Sequence, residues 1–264
     1  MKKIIFKLML AFAFIPFLAS CGMNQADTTD SLISSAEAGE VTLYIVRHGE
    51  TMLNETDRVQ GWADAVLIPE GEEVVGYAGK GLADIEFTAA YSSDSGRSIQ
   101  TANIILKAND LSEDVSLQTD SRLREFNFGS YEGDLNETMW TDIAESQGKT
   151  LEEWRSEGAS PKDFANSIAT LDKERVDANT NWLAEDYDTI SERLKEGIDE
   201  IVQTASENGG GNILVVSHGL SIGAIIENLS EGYKLPSGGL KNASVTKINY
   251  KDGNYTIDTV VDLR

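Results

Sequence analysis

The stretch Val41-Thr42-Leu43-Tyr44-Ile45-Val46-Arg47-His48-Gly49-Glu50-Thr51 decides how this chain is read. A β-favouring, mostly apolar run stops at Arg-His-Gly. A run of that length reads as a strand buried on both faces, the habit of parallel sheets. A second run, Asn212 to Ser217 with Ile-Leu-Val-Val inside it, stops at His218-Gly219. These are the only two histidines of the chain, and each follows a strand and precedes a glycine. One histidine in such a place is more often a packed core residue, but two in the same setting favour a shared site. Loops at the carboxyl ends of parallel strands form the crevice where open α/β sheets bind ligands. Glycine there lets the backbone come close to an anion.

Working outward, the pattern alternates strands with helices. Pro69 to Leu82 carries Val74, Val75, Ala78 and Leu82 at helical spacing, and Phe87 to Tyr91 is a short strand. Ser95 is placed to cap a helix reaching about Lys107, with Ile99, Ala102, Ile105 and Leu106 on or near one face. Tyr187, Ile190, Leu194, Ile198, Ile201 and Val202 form a long helical stripe closed by Gly209-Gly210-Gly211, and a further helix starts at Ser221. Thr246, Ile248 and Tyr250 alternate, Asp252-Gly253 is a tight turn, and Tyr255 to Val261 returns as a hairpin strand. The expectation is an α/β fold with a mostly parallel sheet and one antiparallel hairpin near its edge. Between Tyr131 and Trp182 the chain becomes acidic and helical, with Trp140, Trp154, Phe164 and Trp182 spread through it and a capping box at Thr150–Glu153. Residues 131–182 are therefore expected to be a helical insertion over the sheet, although any single one of these tryptophans reads better as core filling.

Composition narrows the function. The chain has 264 residues, 22 Lys+Arg against 44 Asp+Glu, and a formal charge of −22. That balance argues against nucleic-acid binding, which draws on clustered cations. Two His and one Cys leave little for a zinc site or a disulfide framework. The amino end reads as an address. Lys2, Lys3 and Lys7 precede an apolar run from Leu8 to Phe17, too short to span a bilayer, and Leu18-Ala19-Ser20-Cys21 resembles a bacterial lipobox. Residues 1–20 are expected to be a lipoprotein signal peptide, with Cys21 lipidated and residues 21–40 a polar tether. Loss of the three leader lysines takes the charge from −22 to −25. Such a surface is repelled by anionic headgroups, so the anchor, not charge, would hold the protein at the extracytoplasmic face of the membrane.

The residue types suggest phosphoryl chemistry. Arg47 beside His48, and Arg97 near the start of a helix, are cations next to backbone suited to anions. A guanidinium binds phosphate through two parallel hydrogen bonds. A neutral imidazole among them is a good nucleophile for phosphorus, with the cations stabilising the developing charge. Glu125, in Leu123-Arg124-Glu125-Phe126-Asn127-Phe128-Gly129, is a candidate proton donor for the leaving group, though it is one of 44 acids.

Four blocks in order carry a resemblance. They are Arg47-His48-Gly49-Glu50-Thr51 with Asn54, Arg58 and Gly61-Trp62; Tyr91 through Ala102, with Arg97 inside it; Leu123-Arg124-Glu125 through Gly129 with Glu132-Gly133; and Val216-Ser217-His218-Gly219. Together they resemble the histidine phosphatase superfamily, in the branch of the cofactor-dependent phosphoglycerate mutases. The resemblance implies a three-layer fold with helices on both faces of the sheet. It implies His48 as the nucleophile that becomes phosphohistidine, and Arg47, Arg97 and His218 holding the phosphoryl group with Asn54 and Gln60 assisting. Glu125 would be the proton donor, and no metal or organic cofactor is implied. Departures are small: Gly96-Arg97-Ser98 stands where Lys-Arg-Ala is common, and Ile68 where the family often has Thr. The acid phosphatase and phytase branch fits poorly, because Gly219 stands where that branch has an acid. A small phosphomonoester is the expected substrate. Phosphomonoester hydrolysis, mutase-type transfer and non-catalytic binding of phosphorylated ligands or a partner protein all remain open readings of the pocket, with export favouring hydrolysis over a cytosolic mutase.

Overall fold

The computed structural model describes residues 39–175, 182–229 and 239–262. Its strands are β1 (Val41–Arg47), β2 (Phe87–Ser92), β3 (Leu117–Thr119), β4 (Gly211–Ser217), β5 (Val245–Lys251) and β6 (Asn254–Val261). They form one sheet in the order β3-β2-β4-β1-β5-β6. The first four strands are parallel, while β5 and β6 form an antiparallel hairpin at one edge.

The apolar runs of β1 and β4 lie at the centre because both of their faces are covered. Side chains alternate across a strand, so each run feeds two cores. Leu43, Ile45, Ile213 and Val215 join one core; Tyr44, Val46, Leu214 and Val216 join the other. The second core is closed by α2 (Pro69–Gly81) and α3 (Gly96–Lys107), the first by α7 (Tyr187–Glu207) and α8 (Gly219–Leu229). The short α1 (Met52–Glu55) follows β1. Helices on both faces make the three-layer architecture.

Among the described residues between Tyr131 and Trp182 three helices follow one another: α4 (Asn136–Ser146), α5 (Leu151–Glu157) and α6 (Pro161–Arg175). Thr150 and Glu153 form the reciprocal capping box that opens α5. Asp172 of α6, wholly buried, accepts from Ser130 N (2.8 Å), Ser130 Oγ (2.6 Å) and Ala184 N (2.8 Å). That carboxylate fastens the insertion to the loop after Glu125.

Several local expectations change. The buried face of α3 is Arg97, Ser98, Thr101, Ala102 and Ile105, because its first turn faces the site and not apolar core; Ile99 and Leu106 are only partly buried. Ser95 stands at the N-cap of α3 without capping it, its hydroxyl lying 2.7 Å from Ser93 Oγ and 3.3 Å from His218 Nε2. Strand β3 has only three residues, too few to show a period. Gly39 and Glu40, expected in the tether, hydrogen-bond to the turn between α7 and β4. The signal peptide and Cys21 lie outside the described residues.

Candidate active site

Strand register brings the two histidines together. β1 and β4 are parallel neighbours with Arg47 opposite Ser217, so the next residues, His48 and His218, emerge side by side. Their ring centroids are 5.2 Å apart. His48 is 3% exposed and His218 wholly buried. His48 Nδ1 lies 2.7 Å from the carbonyl oxygen of Gly49, which fixes the proton on Nδ1 and leaves the Nε2 lone pair free to react. His218 Nδ1 accepts from Arg97 Nε (3.2 Å) and Nη2 (2.9 Å); a guanidinium only donates, so the proton sits on Nε2, near the hydroxyls of Ser95 and Ser98. Burial, and then the positive charge of Arg97, push both imidazoles well below the ordinary histidine range. Both rings are therefore neutral at pH 7.

Arg97 is wholly buried and its five N–H groups all have protein partners. Besides His218, they reach Gly61 O (2.7 Å), Ala63 O (3.0 Å) and Asp64 Oδ1 (2.9 Å). Asp64 also accepts from Gly96 N at the start of α3, so a carboxylate of the chain occupies that helix end. Nothing in the residue pattern singles out Asp64, one acid among many.

The remaining residues form the floor of a cleft. Arg47, Asn54, Gln60 and Glu125 line a cavity of about 590 Å³, and His48 is the residue that directly follows Arg47. Arg47 donates from Nη1 to Leu240 O, but its buried Nε has no partner. Gln60 Oε1 accepts from Thr51 Oγ1 (2.6 Å), and its buried Nε2 likewise has none. Two unpaired buried donors are what an oxyanion site requires, since each costs about 1–3 kcal/mol unless an acceptor arrives. Asn54 is committed in part to the capping box of α1 with Thr51.

Glu125 is 6% exposed and sits against the first turn of α8. Its Oε1 accepts from Ser221 N (2.9 Å), Ser221 Oγ (2.9 Å) and Phe126 N (3.1 Å), its Oε2 from Leu220 N (3.0 Å). The backbone beneath it is riveted by Arg193, which donates to the carbonyls of Arg122, Arg124 and Glu125 and pairs with Glu185 at 2.8 Å. Glu132 collects the amides of Gly61, Trp62, Ala63 and Phe128. Neither positioning role is visible in a sequence with this many charges.

Packing requires glycine at both site positions. A Cβ at Gly49 would lie 2.6 Å from Val75 and 2.9 Å from Gly71 O, so the loop seats on α2. A Cβ at Gly219 would meet the Arg47 guanidinium at 3.2 Å.

Comparison with known proteins agrees with this geometry. The family profile of the histidine phosphatase superfamily (branch 1) matches residues 43–263. A probable phosphoglycerate mutase GpmB from Erwinia tasmaniensis is 27% identical over 214 residues, covering 79% of this chain and 85% of the relative. The fructose-2,6-bisphosphatase TIGAR of Bos taurus is 31% identical over 208 residues, covering 70% and 75%. The crystal structure of phosphoglycerate mutase from Bacillus anthracis str. Sterne superposes with a TM-score of 0.76 at 43% identity, covering 86% of this chain and 95% of that one. With an α/β sheet of that architecture and a profile match across nearly all its folded length, this chain is an enzyme of the histidine phosphatase superfamily.

Proposed function

We propose that the protein hydrolyses phosphomonoesters through a phosphohistidine on His48. The observation that carries this reading is the neutral His48 ring, clamped at Nδ1 by Gly49 O, together with the unpaired donors Arg47 Nε and Gln60 Nε2 of one cavity. The Nε2 lone pair attacks phosphorus, and the P–O bond to the leaving group breaks in line. Arg47, Gln60 and Asn54 take the equatorial oxygens. Glu125 gives its proton to the departing alkoxide and then takes one from the water that attacks phosphohistidine, releasing alcohol and inorganic phosphate. His218 lies 5.2 Å from the His48 ring and is held by Arg97; Arg97 reaches a phosphoryl oxygen by exchanging one of its protein acceptors for it.

Mutase-type transfer shares the first half of this sequence, and the names of several relatives favour it. Incubation with 3-phosphoglycerate separates the two: hydrolysis yields inorganic phosphate, transfer yields the isomer. Turnover of p-nitrophenyl phosphate equal in the wild type and His48→Ala would remove the catalytic assignment and leave phosphoryl-ligand binding. We further propose that Cys21 carries a lipid anchor outside the cytoplasm. Incorporation of labelled palmitate, lost in Cys21→Ser, is the expected result, and equal labelling of the two would refute it.

A further inference from the structure

The cleft above the reacting groups is not built for a compact, polar alcohol. Its apolar lining is supplied by Phe128, Met139, Trp140, Trp154, Phe164 and, next to Glu125, Leu220. Four of these side chains are aromatic, and three helices of the insertion contribute Met139, Trp140, Trp154 and Phe164. Trp154 and Phe164 stack with centroids 6.3 Å apart and planes at 29°, while Phe128 meets Phe164 edge-on at 6.2 Å. These contacts set the wall's shape before any ligand arrives. Among the described lining residues the only ionisable groups are Arg47 and Glu125, at the reacting end, and Arg58, which donates to Gly133 O at 2.7 Å. A volume of about 590 Å³ lies within the range of pockets that enclose small organic molecules.

Resting on the phosphomonoesterase reading, we infer that the substrate carries its phosphate on an apolar, aryl-bearing body that seats against the insertion's aromatic wall. The floor of the cleft and the wall are one continuous cavity, so a phosphate at Arg47 and Gln60 points its ester oxygen past Glu125 into the apolar part. An aryl group placed there exchanges water for stacked rings, whereas a hydroxylated or carboxylated one gives up hydration for little more than the side chains of Arg58 and Asn136. The insertion thereby acts as the specificity element, and the sheet supplies the chemistry.

The test compares 3-phenylpropyl phosphate with n-propyl phosphate, which share a primary alkoxide leaving group and differ only in the aryl body. The purified full-length protein should show kcat/KM at least about tenfold higher for the phenylpropyl ester, with most of the difference in KM. Trp140→Ala removes part of the wall, and Ala159→Trp fills the cavity from an exposed position on its rim. Each should bring the ratio of the two kcat/KM values below about threefold. Equal kcat/KM for both esters in the wild type, or a ratio unmoved by both substitutions, would overturn the aryl seat while hydrolysis stands. If neither ester is hydrolysed, the phosphatase reading fails, and calorimetry with the two corresponding alkylphosphonates decides the seat separately. Tighter binding of the phenylpropyl compound by about tenfold supports it, and equal binding refutes it.

Discussion

Acidification from pH 7.5 to 5.5 should destabilise this protein in a way that counts its histidines. Both imidazoles are buried beside Arg97 and stay neutral in the fold well below the ordinary histidine value. In the unfolded chain they titrate near about 6.5. The unfolded state therefore binds more protons below that value, and stability falls with pH until the folded-state value is passed. Over the stated interval each ring accounts for about 1.4 kcal/mol, and the pair for about 2.7 kcal/mol. Carboxylates contribute too, so the measurement is a difference. Urea unfolding followed by the fluorescence of the four tryptophans gives the loss for the wild type, His48→Gln, His218→Gln and the double variant. Each single variant should lose about 1.4 kcal/mol less than the wild type over the interval, and the double variant about 2.7 kcal/mol less. An identical loss in all four proteins would refute the claim that the rings are held neutral. It would also remove the lone pair on which the nucleophile depends. The same neutrality predicts that kcat/KM shows no acid limb from His48 near pH 6.5.

Other outcomes follow from single contacts. His48→Ala should lower kcat by at least about a thousandfold and abolish acid-labile, base-stable phosphate on rapid quench. Asp64→Ala should lower kcat/KM by about ten- to a hundredfold and also destabilise the fold by about 3 kcal/mol in urea unfolding, since it leaves the buried Arg97 without the 2.9 Å pair that aims it at His218 and opens the start of α3. Asp172→Ala strands the Ser130 and Ala184 amides and should cost about 3 kcal/mol in urea unfolding. Gly61→Ala places a Cβ 2.1 Å from Phe126 O and 2.4 Å from Glu132 Oε1, and should cost more than about 3 kcal/mol.

What could be read from residues alone was what repeats at short range. β1 and β4 announce themselves because a strand covered on both faces has to be apolar throughout, and α7 because its stripe keeps helical period over five turns. The histidine pair was legible because histidine is rare here and each follows such a strand. Asp64 and Arg193 were not, and Glu132 was legible only as part of a motif without a role, because their work is to grip loops whose shape exists only after folding. The glycines beside the histidines were legible as necessary but not as to why: their neighbours, Val75 and Arg47, belong to other segments. Ser95 shows the same limit, since a position suited to capping a helix turns its hydroxyl toward an imidazole instead. The aromatic residues of the insertion read from the sequence as an insertion over the sheet or as core filling, and in the structure Trp140 and Phe164 pack against the core while also lining the cavity.

The place of β4 between β2 and β1 has a consequence for synthesis. The two halves of the reacting pair come from strands separated by most of the chain, and the strand that unites them is made late. Until it arrives, β1 and β2 each present an unpaired inner edge, the kind of surface that recruits other chains. A polypeptide cut short before Gly211 is thus both inert and prone to clump, and activity switches on only when the last parallel strand slides into the gap.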